Sequence, residues 1–207
     1  NYLDDNAISK GGDIINVLQR IGGTASMLGM SAKDAAALGS TFLTLGASAE
    51  VAATASNAVM RELSTAALQG DKFTKALGEE GLNLGLTPEE LQKAMAIDAT
   101  GTIMMVLRSL SNLPKEKRLT IATLMFGKEY GDDVAKLAGG YDEYNKQIWL
   151  ANSAEAKGSM AREAAARDNT ASAQWQLLKN NMKEAMVTIG DQLMPAAQNF
   201  MKSMRDA

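Results

Sequence analysis

Apolar residues recur at spacings of three and four along most of this chain, and no stretch alternates with the two-residue period of a strand. Ile14, Leu18, Ile21 and Ala25 form the first stripe, widened by Ile15 and Leu28, with Gly22 and Gly23 inside it as a candidate bend. Ser31-Ala32-Lys33-Asp34 reads as a capping box, in which the Ser31 hydroxyl accepts from the Asp34 amide and the Asp34 carboxylate reaches back. The helix that follows buries Ala35, Leu38 and Phe42 and ends at Gly46, a candidate for positive φ. Ser48 caps the next helix, whose inward residues are Val51 or Ala52, Ala55, Val59, Leu63 and Ala66. Small side chains on that face permit close approach, so the two helices are expected to form a tight hairpin around Gly46-Ala47.

Residues 73–77 suggest a short helix ended by Gly78 or Gly81, and Thr87-Pro88-Glu89-Glu90 forms a second box with Pro at the first helical position. Leu91, Ala94 and Met95 follow on its inner side, and Ile103, Val106, Leu107 and Leu110 mark a helix that ends before Pro114. Leu119, Ala122 and Met125 run into Phe126-Gly127. Val134, Leu137 and Ala138 mark a separate short helix closed by Gly139-Gly140, and Tyr141, Tyr144, Ile148 and Ala151 continue the period.

From Lys157 the pattern changes. Trp175, Leu178, Met182, Ala185 and Ile189 recur at spacings of 3, 4, 3 and 4, a seam just over two heptads long. Leu193, Ala196, Phe200 and Met204 prolong it after a four-residue step. Within a helix Pro195 would lose the bond to the Asp191 carbonyl, and Gly190 would loosen the same turn. The expected fold is all-α: a bundle of short helices over residues 1–156, then a long C-terminal amphipathic helix over 157–207, bent or broken near 190–195. The scarce aromatic residues Trp175 and Phe200 either anchor that helix on the bundle or form a surface for another chain, including self-association.

Composition narrows the chemistry. The 207 residues include no His and no Cys, so imidazole triads, thiol nucleophiles and Cys/His zinc sites cannot be assembled. A formal charge of −3 provides no field that would gather nucleic acid or anionic lipid. The longest strongly apolar run, Ile103-Met104-Met105-Val106-Leu107, is far too short to span a bilayer. The chain starts at Asn1 without a basic and apolar leader, and reads as a segment of something longer.

Carboxylate pairs are the one familiar catalytic arrangement left, at Glu79-Glu80, Glu89-Glu90 and Asp132-Asp133. Each adjoins an expected helix end, where acids serve caps and the dipole. Gly11-Gly12-Asp13 lacks the preceding strand and the Lys of a phosphate loop, and no EF-hand loop is present. Lys115-Glu116-Lys117-Arg118 is either a phosphate contact or a hydrated helix start. No catalytic, cofactor-binding or metal-binding residue is assigned, and neither a small-molecule substrate nor sequence-specific nucleic acid binding is expected.

The order of these features resembles the core of phage tail tape measure proteins of the TP901-like minor tail family. The likeness runs through Gly11-Gly12 to Gly22; "LGMSAKDAAALGSTFLTLGASAEVAATASNAVMREL" over 28–63; "LMFGKEYGDDVAKLAG" over 124–139; "GSMAREAAARDNTASAQWQL" over 158–177; and "IGDQLMP" over 189–195. The resemblance implies a structural protein that assembles with tail chaperones, lies within the tail tube against the tube protein, sets tail length and leaves ahead of the DNA. It implies a place in the virion, and in the host cytoplasm during assembly. The resemblance places its Leu-Met-Phe-Gly element at Leu124 to Gly127 and its late Gly and Pro at Gly190 and Pro195; with the stripe read from the spacing, the structural or assembly residues are Phe126, Gly127, Trp175, Leu178, Met182, Ile189, Gly190, Leu193, Pro195 and Phe200. The long coiled coils and membrane-associated hydrophobic segments of such proteins are not in this stretch. The rival readings are a peptidoglycan-degrading tail domain and a non-viral helical adaptor or secreted module.

Overall fold

The computed structural model describes residues 11–153. Among them are eight α-helices, one 3-10 turn and no strand: α1 Gly11–Met27, α2 Ala32–Thr44, α3 Ala49–Ser64, the 3-10 turn Ala66–Gln69, α4 Asp71–Leu77, α5 Pro88–Ile97, α6 Ala99–Ser111, α7 Lys115–Gly139 and α8 Tyr141–Asn152. The helix expected over 157–207, with its bend near Gly190 and Pro195, lies outside the described residues. So do Trp175, Leu178, Met182, Ile189, Leu193 and Phe200.

The bundle is built around α2, in which every residue from Ala35 to Phe42 is buried. A helix enclosed on all sides needs small or apolar side chains all round, and Ala35, Ala36, Ala37 and Gly39 supply them. α1, α3 and α8 pack on it. Gly39 has a steric reason: a Cβ there would fall 2.6 Å from Val17 Cγ1 of α1. The buried hydroxyl of Thr41 donates to the Ala37 carbonyl at 2.7 Å, and that of Ser40 donates to Gln147 Oε1 of α8 at 3.3 Å, so burial does not leave these groups unpaired.

The expected face of α1 is corrected by one position. Ile14, Val17, Ile21 and Ala25 are buried, whereas Ile15 is 40 % exposed and Leu18 only packs on the edge. Gly22 and Gly23 neither break nor end α1, because the helix continues to Met27 with Ile21 and Ala25 anchored on either side of them. Leu119 is likewise turned out, 46 % exposed, while Ile121 takes the inward place.

The reversal between α2 and α3 forms at Gly46, φ +93°, with Ser48 Oγ accepting the Val51 amide at 3.3 Å. Ala52, Ala55, Val59 and Leu63 of α3 are buried as the spacing requires. The two helices are nonetheless not an isolated hairpin, for each packs more extensively on α1 than on the other. At α5 the full capping box is present: Thr87 Oγ1 accepts from the Glu90 amide at 3.2 Å, and Glu90 Oε2 accepts from the Thr87 amide at 2.8 Å.

Candidate functional site

Phe126 and Gly127, singled out from the sequence, form the most unusual joint in the described fold. Phe126 is buried, and Gly127 has φ +79° and ψ 171° between two helical segments, 115–126 and 128–139. This combination is open essentially to glycine alone, so Gly127 is needed for its backbone and not for space: a Cβ there would meet nothing within 4 Å.

Four residues later Gly131 is required for the opposite reason. A Cβ on it would lie 2.5 Å from Thr123 Cα and 2.9 Å from Thr123 N. Eight residues of continuous helix would separate these positions by about 12 Å along the axis. The chain therefore folds back at Gly127, and Gly131 lets the second segment cross the first at backbone contact. Gly131 was not identified from the sequence. The signal lies in the phase of the apolar residues: at about 100° per residue, Ile121, Ala122, Met125 and Phe126 occupy one sector, and Val134, Leu137 and Ala138 the roughly opposite one, which Gly131 shares.

A second cluster gathers three helices at Asp34. Its amide donates to Ser31 Oγ at 3.1 Å, as the capping box predicts. Its carboxylate does not reach back as expected, and instead accepts from Thr100 Oγ1 of α6 at 3.2 Å and from Asn152 Nδ2 of α8 at 2.7 Å. The tertiary partners outcompete the local one because they join segments 66 and 118 residues apart that must close anyway.

The basic run at the start of α7 proves largely structural at Arg118. Its Nε donates to the Leu110 carbonyl at 3.1 Å, and Nη2 donates to those of Ser111 at 2.7 Å and Leu113 at 3.2 Å. The guanidinium thus satisfies the last carbonyls of α6 at the negative end of its dipole. Gly139 lies against the same group, where a Cβ would sit 2.9 Å from Arg118 Nη1.

Among the carboxylate pairs, Glu79-Glu80 stands exposed in a turn and Glu89 is exposed in the first turn of α5. Glu90 completes its cap, and Asp132 and Asp133 each accept from Lys136 Nζ at 3.3 Å. Those two bonds hold the Lys136 ammonium above its ordinary range. Elsewhere, burial favours a protonated Glu62, but hydrogen bonds from Lys72 at 2.8 Å and Arg61 at 3.1 Å outweigh it and leave the carboxyl below its usual range. A cleft lined by Phe42, Leu45, Val51, Asp133 and Lys136 adjoins the Gly46 turn, and its two charges are paired with one another. Among the described residues there is no group of three or more His, Cys, Asp or Glu placed to hold a metal ion, and no helix long and apolar enough to cross a membrane.

Tyr144 of α8 is wholly buried, with no hydrogen-bond partner for its hydroxyl. Burial, reinforced by the nearby charges of Asp34, Tyr141 and Asp98, pushes its phenol far above the ordinary value. Trp149, on the outer side of the same helix, is 62 % exposed and carries no predicted role.

Comparison with known proteins gives two matches. Residues 1–127 match the family described as phage-related minor tail protein. A probable tape measure protein of Halomonas phage phiHAP-1 is 30 % identical over 196 residues, which cover 94 % of this chain and 22 % of that relative. The chain thus spans about a fifth of the curated relative's length. No solved structure matches the chain.

Proposed function

The chain belongs to the phage-related minor tail protein family, and on that premise we propose that it is a structural segment of a tape measure protein. A tail-associated structural role follows from the family. In the finer reading the segment lies in the lumen of the tail tube, meets the tube protein and the assembly chaperones, contributes to tail length with the rest of its parent chain, and leaves with it ahead of the DNA. The observation that carries this reading is the continuity of the likeness to a probable tape measure protein across 94 % of the chain.

The fold adds a physical refinement. A single helix of the described residues would extend about 210 Å, whereas helices folded back against α2 cover only a fraction of that. The bundle therefore contributes to length as a folded station, adding much less than its extended helical length, while the rest of the parent chain supplies most of the measure. The apolar stripe of Trp175, Leu178, Met182, Ile189, Leu193 and Phe200 is proposed as a self-association surface, with Gly190 and Pro195 setting its bend.

In-frame removal of residues 11–153 from the parent gene, followed by electron microscopy of the tails, tests the reading. The expected result is failed assembly, or tails shortened by much less than about 210 Å. Normal numbers of normal tails would overturn the structural role, and shortening by the full helical length would overturn the folded station.

A further inference from the structure

The Gly127 elbow connects two helical segments through one residue, and both segments could continue through it if that residue took helical angles. We infer that Gly127 is the hinge of a domain-swapping device: when it becomes helical, residues 128–153 leave their own bundle and rebuild the same contacts in a second copy of this chain.

Three observations carry the inference. First, the connection contains no spare loop, and its closed form depends on a backbone conformation that only glycine adopts readily. Second, the two apolar sectors of α7 face in roughly opposite directions when placed on one straight helix. A straight α7 would therefore leave Ile121, Met125 and Phe126 in its own bundle while offering Val134, Leu137 and Ala138 to another bundle on the far side. Third, the distal piece is held by contacts that do not care which copy supplies them. These include Asn152 to Asp34 at 2.7 Å and Gln147 to Ser40 at 3.3 Å. The second copy is the specific occupant because only an identical chain that has lost its own distal piece presents an empty seat beside α2. Exchange of identical elements across a short hinge is a low-cost route to a dimer, and here one residue sets the balance.

The chain has no Cys, which makes the test direct. One population of the full chain carries Asp34→Cys and a second carries Asn152→Cys. They are unfolded together, refolded as a mixture and treated with a short bis-maleimide. In the parent background the two populations should cross-link only at a background level. With Gly127→Ala in both, the mixed cross-linked dimer should rise roughly tenfold or more, because Ala resists the elbow and favours the helix. Adding Gly-Ser-Gly between Phe126 and residue 127 of that variant should return it to background by allowing the reversal again. Equal cross-linking in both backgrounds, failure of the insertion to reverse the effect, or a Gly127→Ala chain that unfolds without rebuilding its contacts in another copy would each overturn the inference.

Discussion

The reversals at Gly46 and Gly127 both use a glycine at positive φ, yet they distribute their information differently. Around Gly46 the amides of Leu45, Gly46 and Ala47 donate back to the carbonyls of Thr41, Leu43 and Phe42 at 3.0 Å, and Ser48 opens the next helix with its own side chain. Around Gly127 no Ser, Thr, Asp or Asn stands ready to cap the second segment, and the turn is one residue long. A reversal supported by several backbone bonds and a side-chain cap should survive the loss of the cap. A reversal concentrated in one residue makes that residue decide the path of everything after it.

The strongest way to break the comparison is at the crossing beyond Gly127. Gly131→Leu should cost about 3 kcal/mol, because its Cβ meets the backbone of Thr123 and neither segment can yield alone. A urea midpoint equal to the parent's would show that the segments do not cross as described. On the other side, Ala55 is fully buried in α3, and Ala55→Leu should cost about 2 kcal/mol by overpacking. Because α3 and α7 pack on one another, the double variant tests their coupling: additive losses would mean that the two sites are independent, and strong coupling would mean that the reversals form one unit.

Ser48→Ala sharpens the claim of redundancy. It should cost about 1 kcal/mol and leave the elution volume unchanged, because Gly46 still ends α2. A change in oligomeric state would refute the idea that this reversal is over-determined. The smallest effect at neutral pH belongs to Tyr144→Phe, which removes a buried hydroxyl without a partner and should be neutral or stabilise by up to about 1 kcal/mol.

The Tyr144 substitution also has an alkaline signature. The folded state keeps the Tyr144 proton above the ordinary value of 10.0, while the unfolded chain releases it as pH rises past that value. The unfolded state then binds fewer protons, so stability falls with rising pH from about 10 upward, by as much as about 1.4 kcal/mol per unit. Removing the phenol should flatten this limb in thermal melts; identical limbs in parent and variant would show that Tyr144 is not sealed from solvent.

The asymmetry between the turns also explains what could be read from the residues alone. Ser31, Ser48 and Thr87 announce helix starts through local chemistry, and each side chain accepts the amide that its position predicts. Phe126-Gly127 was recognisable as a boundary, but the direction of the chain beyond it depended on Gly131 meeting Thr123, a contact with no local signature except the jump in apolar phase. Asp34 shows the same limit. Its position at the cap was legible, whereas its choice of Thr100 and Asn152 over its own helix start depended on segments far along the sequence. The inward turn of Val17 in place of Leu18 follows from the closeness that Gly39 permits, which only the packed bundle reveals.

The bond between Asp34 and Asn152 also has a meaning in time. Their 118-residue separation means that a ribosome adding about 5–20 residues per second makes the second partner roughly 6 to 24 s after the first. For that interval the nascent α2, which is enclosed on every side in the finished bundle, has no α8 to cover it. The side destined for Gln147 and Asn152 stands open to whatever else is in the vicinity during synthesis. A nascent-chain binder acting on this segment would have its best opportunity there, and that opportunity would end when α8 emerges.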